Sequence, residues 1–172
     1  MSEAAPAWAL TLAYWLHMLA TVLWIGGLVM LALVVIPSAR KTVPADAYSA
    51  FLGQVQSRLQ SIGWFSLAVL GLTGMFQMSS SPFYNGFLAI DNTWSWAILI
   101  KHLAIGLMVL FSIYATWGIT PALRRLALLQ SAGKNVDSAR LAQLHARELL
   151  LLRLNLVVSV IVLALTAIAR SA

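Results

Sequence analysis

Residues 8–36 read WALTLAYWLHMLATVLWIGGLVMLALVVI, an apolar run with no lysine, arginine, aspartate or glutamate. A helix needs about 20 such residues to cross the hydrocarbon core of a bilayer. This stretch spans with length to spare, and Pro37 is expected to end it. Working outward, 62–78 reads as a shorter span closed by Ser79-Ser80-Ser81-Pro82, 94–120 as a third stopped by Pro121, and 149–169 as a fourth. The expected fold is all-α, an integral membrane antiparallel four-helix bundle forming one domain over 1–172. Too little remains outside the spans for a soluble domain, and no internal repeat is evident.

Composition agrees. Of 172 residues, 61% are hydrophobic and only 9% charged, a balance far outside that of soluble domains. The absence of cysteine excludes disulfides, thioether-attached haem, cysteine-ligated iron–sulfur clusters and cysteine nucleophiles. The net charge of +6 lies in short connections, so lipid headgroups rather than nucleic acid are the expected anionic partner. The first connection carries Arg40, Lys41 and Arg58, and the third Arg124, Arg125, Lys134, Arg140 and Arg147. The second, 79–93, has no lysine or arginine, only Asp91 with the aromatics Phe83, Tyr84 and Phe87. The positive-inside rule then predicts a multi-pass inner-membrane protein with both termini and the second loop on the outer, periplasmic side. Met1 to Ala7 holds Glu3 and no basic residue, so the first span is expected to stay as a helix rather than be cleaved as a signal peptide. Asp137 to Glu148 reads as a helical lead-in to the fourth span.

Ionisable side chains within spans mark candidate sites, because they are expensive there. His17 lies nine residues beyond Trp8, and His102 eight beyond Trp94. With tryptophans as interface anchors, both imidazoles fall roughly 12–14 Å along the axis, in the outer half. This matched depth points to a shared ligand, either haem iron or copper. Hydrogen bonding across the bundle is the bland alternative. Gly106, one turn from His102, is expected to leave room for a flat macrocycle. Lys101 points about 100° away from His102, and its candidate roles are snorkelling, pairing with a haem propionate, or ligation as a neutral amine. A lysine must lose its proton before it binds iron, which favours His102 as the second ligand.

Met75 and Met78, in the outer turn of the second span, complete an alternative copper set with His17 and His102, since thioethers and imidazoles suit Cu(I). Asn155, Ser159 and Thr166 form one stripe that is expected to face the interior, whereas Arg153 is expected to contact headgroups. His145 reads as an ordinary interfacial histidine. Gly26-Gly27 and Gly71-Leu72-Thr73-Gly74 read as close-packing sites. With five acidic residues in the whole chain, carboxylate hydrolysis chemistry is not expected.

Several segments are similar to a known group. Trp15-Leu16-His17-Met18-Leu19-Ala20 running to Trp24-Ile25-Gly26-Gly27-Leu28 resembles the first helix of the CopD-like (copper resistance protein D) membrane family and of the related HemJ-type protoporphyrinogen oxidases. Leu70-Gly71-Leu72-Thr73-Gly74, Ile98-Leu99-Ile100-Lys101 and Arg153-Leu154-Asn155-Leu156 resemble the group's later helices. The resemblance implies that His17 and Lys101 match a pair associated with haem b, and it implies nothing for His102. The leading expectation is a haem b protein with a redox or electron-transfer role, its haem in the outer half. Its partners would be quinone or a periplasmic redox protein, as a homo-oligomer or a subunit of a larger complex. Copper handling of CopD type and porphyrinogen oxidation of HemJ type are the alternatives.

Overall fold

The computed structural model describes residues 6–81 and 93–171, so the features expected of the second loop and of the N-terminal residues 1–5 lie outside the described residues. Among the described residues all regular structure is helical. Helix α1 (Ala7–Val29) runs through a π-helical turn, Met30–Val35, into α2 (Ile36–Thr42); α3 is Ala45–Ser79. Helix α4 (Thr93–Ile113) passes through a second π turn, Tyr114–Ile119, into α5 (Thr120–Ser131), and α6 is Ser138–Ser171. Four rods result that are long and apolar enough to cross a membrane: Ala7–Thr42, Ala47–Ser79, Thr93–Ser131 and Ser138–Arg170.

The prolines do not end their helices, contrary to the reading of the sequence. Proline lacks an N–H, and its ring collides with the carbonyl four residues back. Widening the preceding turn to π geometry removes the conflict, a common way to absorb a local insertion in a helix. Pro37 and Pro121 then sit in the first turns of α2 and α5, where a missing donor is harmless. The hydroxyl of Thr120 adds a 2.9 Å bond to the carbonyl of Ala115 inside the second π turn. At 36 residues the first rod is about 54 Å long, so it extends well beyond a hydrocarbon core of about 30 Å. Asp137 caps α6, its Oδ1 accepting from the backbone N–H groups of Ala139 and Arg140.

Packing is pairwise. Helix α1 lies along α3: the Gln77 amide donates to the Ala13 carbonyl, His17 meets Thr73, and Gly63 and Gly27 admit the Trp24 ring and Leu59. Helix α4 lies along α6, where Asn155 Nδ2 donates to Ser112 Oγ and Ser159 Oγ is 3.9 Å from Met108 Sδ. Arg170 stacks on the Tyr14 ring, tying α1 to α6. Gln60 donates to Thr116 and Trp64 packs on Trp117, tying α3 to the second π turn. Ile36, Ala39, Leu52 and Leu152 make an apolar cluster at the Pro37 end. Elsewhere large apolar side chains such as Trp8, Phe65, Leu72 and Leu103 face outward, as lipid demands.

The two pairs repeat each other. Adding 84 to a residue number carries Met30–Val35 onto Tyr114–Ile119, Pro37 onto Pro121, and buried Ala13 onto buried Ala97. Adding 93 carries Ser66-x-x-Val69-Leu70-x-Leu72-Thr73 onto Ser159-x-x-Val162-Leu163-x-Leu165-Thr166. Ser66 and Ser159 are both buried, and Thr73 and Thr166 both donate to the carbonyl four residues back. The two helix pairs thus share a pattern of π turn, proline and buried small or polar residues that the reading of no internal repeat did not include. The two offsets differ because α5 is longer than α2 and its connection to α6 longer than that of α2 to α3, and this hides the shared pattern from a single-period search.

Candidate ligand site between the first and third spans

Each helix pair presents an inward stripe of mostly small and polar residues at helical spacing. On α4 the buried or half-buried side is Ala97, Lys101, Ala104, Met108 and Ser112; on α1 it is Ala13, His17, Ala20, Trp24 and Leu28. The offset of 84 carries His17 onto Lys101. These two ionisable groups occupy equivalent positions on helices that do not pack directly on one another.

His17 is held from α3. Its Nδ1 lies 2.8 Å from Thr73 Oγ1, and the Thr73 hydroxyl donates its one proton to the Val69 carbonyl at 2.6 Å. Thr73 therefore accepts, and the imidazole carries its proton on Nδ1. The Nε2 lone pair is left bare, the state in which histidine ligates a metal, with an outer partner fixing tautomer and ring orientation. Nε2 has no hydrogen-bond partner among the described residues. Gly74 makes the placement possible, since a Cβ there would lie 3.4 Å from His17 Cε1.

Lys101 is half-buried and within electrostatic reach of His17. It has neither an ion pair nor a hydrogen bond to another described residue. From the Gln60–Thr116 contact, 13 residues along α3 reach Thr73, and 15 back along the third rod reach Lys101. The two groups therefore lie within about two residues, or about 3 Å, of one level.

His102 shares that depth but not the direction. It is exposed on the outer side of α4, its Nδ1–H donating to the Ile98 carbonyl at 2.7 Å. The structure does not bring His17 and His102 together, and Lys101 holds the inward position instead. Gly106, expected to leave room beside His102, is exposed with nothing near it. The alternative copper set is not gathered either, because Met75 (57% exposed) and His102 face outward. Among the described residues no three His, Cys, Asp or Glu side chains group as metal ligands.

Asn155, Ser159 and Thr166 do face inward, and Arg153 outward. His145 is more than an interfacial residue. It lies 3.4 Å from Glu148 Oε2 and edge-on to Tyr48, while Gln56 donates to Glu148 Oε1 at 2.9 Å. Sequence reading missed Thr73, Gln56 and Glu148 as partners; the repeated Ser–Thr spacing was the signal available for the first.

The fold and its inward-facing groups define a multi-pass membrane protein with a polar centre between its spans. No family model, curated protein or solved structure matches this chain.

Proposed function

We propose that this is a b-type haem protein of the inner membrane with a redox role, and that His17 and Lys101 are the residues that would hold the haem. One observation carries the reading: an imidazole held at Nδ1 by Thr73 stands level with Lys101 at the corresponding position of the other helix pair, and neither its Nε2 nor the Lys101 amine has a partner among the described residues. An ammonium in a membrane interior without a counter-charge is costly. An iron-bound neutral amine, or a propionate beside the ammonium, removes that cost. A haem brings four nitrogens of its own and needs only one or two side chains. Copper bound by protein donors alone needs more soft ligands than this level supplies. Haem supplies one-electron chemistry when bound; the protein residues orient it and exclude water.

A second reading is favoured by the same pair. His17 and Lys101 are the residues that the resemblance to HemJ-type proteins implies for haem, so porphyrinogen oxidation becomes the leading enzymatic alternative. Quinone or a periplasmic redox protein would be the electron partner. The test is the visible spectrum of detergent-purified protein together with a metal assay. A Soret band with sharp reduced α and β bands is expected at about one haem per chain. Copper without a Soret band would replace this reading with copper handling.

The proposed topology is an antiparallel bundle with both termini outside, which puts His17 and Lys101 in the outer half. It rests on the basic residues Arg40, Lys41, Arg124 and Arg125, which lie just beyond the two π turns in equivalent positions. Reporter fusions at Ala172 should behave as periplasmic and at Lys134 as cytoplasmic. The reverse pattern would move the site to the inner half.

A further inference from the structure

A half-enclosed cavity of about 150 Å³ lies between all four rods toward the Pro37 end, well away from His17. Trp24 and Leu28 of α1, Gln60 and Trp64 of α3, Thr116 of the second π turn, and Glu148 and Asn155 of α6 are among its lining residues. Most of that lining is hydrocarbon and indole. An engineered apolar cavity of about 150 Å³ in another protein admits one benzene molecule, so this one accommodates a single six-membered ring.

Its polar groups are unevenly placed. Asn155 is 4% exposed, and its Oδ1 is buried with no donor among the described residues. Glu148 sits seven residues earlier on α6, on the same face and about 10 Å away along the axis. Its carboxylate accepts from Gln56 and pairs with His145, without a lysine or arginine partner among the described residues. The cavity lining therefore includes two side chains that carry acceptor oxygens, and that of Asn155, buried without a partner among the described residues, costs free energy until a donor reaches it. Leu23 and Ile62 also line the cavity while remaining nearly half exposed on the outer surface. They mark a side on which an attached apolar tail can leave for lipid.

We infer that this cavity binds the reduced ring of a membrane quinol, its two para-hydroxyls donating to Asn155 Oδ1 and to the Glu148 carboxylate. Trp24 and Trp64 supply the flat apolar walls. An oxidised quinone carries only acceptors at both ends and would face the two oxygens unpaired, so the site discriminates between redox states of one ligand. The binding itself does not depend on the haem reading, although it would supply that reading with an electron source. Trp24 is seven residues from His17, about 10 Å along the axis.

The experiment is calorimetric titration of the purified full-length protein with decylubiquinol under argon and, separately, with decylubiquinone. Saturable quinol binding, at least about tenfold tighter than quinone, is expected. Asn155→Leu should weaken quinol about five- to tenfold and leave quinone unchanged. Should Asn155→Leu fail to fold, the comparison of the two redox forms on unmodified protein decides alone. Equal affinities, or no saturable binding of quinol, would overturn the inference. Repeating the titration on His17→Ala protein separates the two proposals, because quinol binding should persist there whatever becomes of the haem.

Discussion

His17→Ala is expected to purify as a folded four-helix protein carrying less than about a tenth of the wild-type haem, a loss of more than about 1.4 kcal/mol of cofactor affinity. The fold should survive because the substitution removes one hydrogen bond, to Thr73, and intramembrane hydrogen bonds between helices contribute only about 0.6 kcal/mol on average. The imidazole would be the one strong iron donor on its side of the cofactor, and nothing near it can substitute. Met18, the adjacent residue, faces outward. Haem per chain and the reduced α and β bands are the readouts, with circular dichroism confirming the fold. An unchanged reduced spectrum would remove His17 from the iron and end the haem proposal.

The second large effect separates two neighbours in sequence. Lys101→Met should abolish the low-spin signature and reduce haem retention about tenfold or more, whereas His102→Ala should leave spectrum and stoichiometry as in wild type. Adjacent helical positions diverge by about 100°, and Lys101, not His102, lies on the side shared by Ala97 and Met108. Lysine is the harder ligand to deploy, since it must bind as the free amine. Retention of low-spin bands with weakened binding in Lys101→Met would assign Lys101 to a propionate instead. Loss of the signature in His102→Ala alone would restore the bis-histidine pairing that depth suggested.

Depth was legible in the sequence, whereas direction was not. A rise of 1.5 Å per residue converts spacing from an interface tryptophan into a level, which is why His17 and His102 read as lying at one height. Deciding which of two adjacent residues faces inward needs the helix's rotation, and α4 is apolar on every side, so hydrophobic patterning gives no phase. The small residues Ala97 and Ala104 carried the phase, but alanine is too common in membrane helices to be read alone. The four spans were legible from hydrophobicity, and their ends at Pro37 and Pro121 were misplaced. A proline forbids one hydrogen bond, and a chain can answer by widening the turn before it as readily as by stopping. The pattern shared by the two helix pairs is present in the sequence, but its two segments are offset by different amounts and so give no single period. The partners of His145 and Glu148 come from α3, far away in sequence, and only the packing brings them together.

Two helix pairs of like construction meet in one bundle, and one polypeptide carries both. Were each half a separate copy of one short chain, paired about a two-fold axis, positions 17 and 101 would carry the same residue by necessity. So would Ile62 and Asn155, or Gln77 and Arg170. A self-paired short chain could therefore hold a central cofactor only with two identical groups. Joining the halves in one polypeptide lifts that obligation. One side can keep an imidazole while the other takes an amine, and Asn155 can appear facing a cavity whose matching wall is an isoleucine. What a single chain has over such a symmetric pair is sidedness: a front and a back to a centre that symmetry alone would have made indistinguishable.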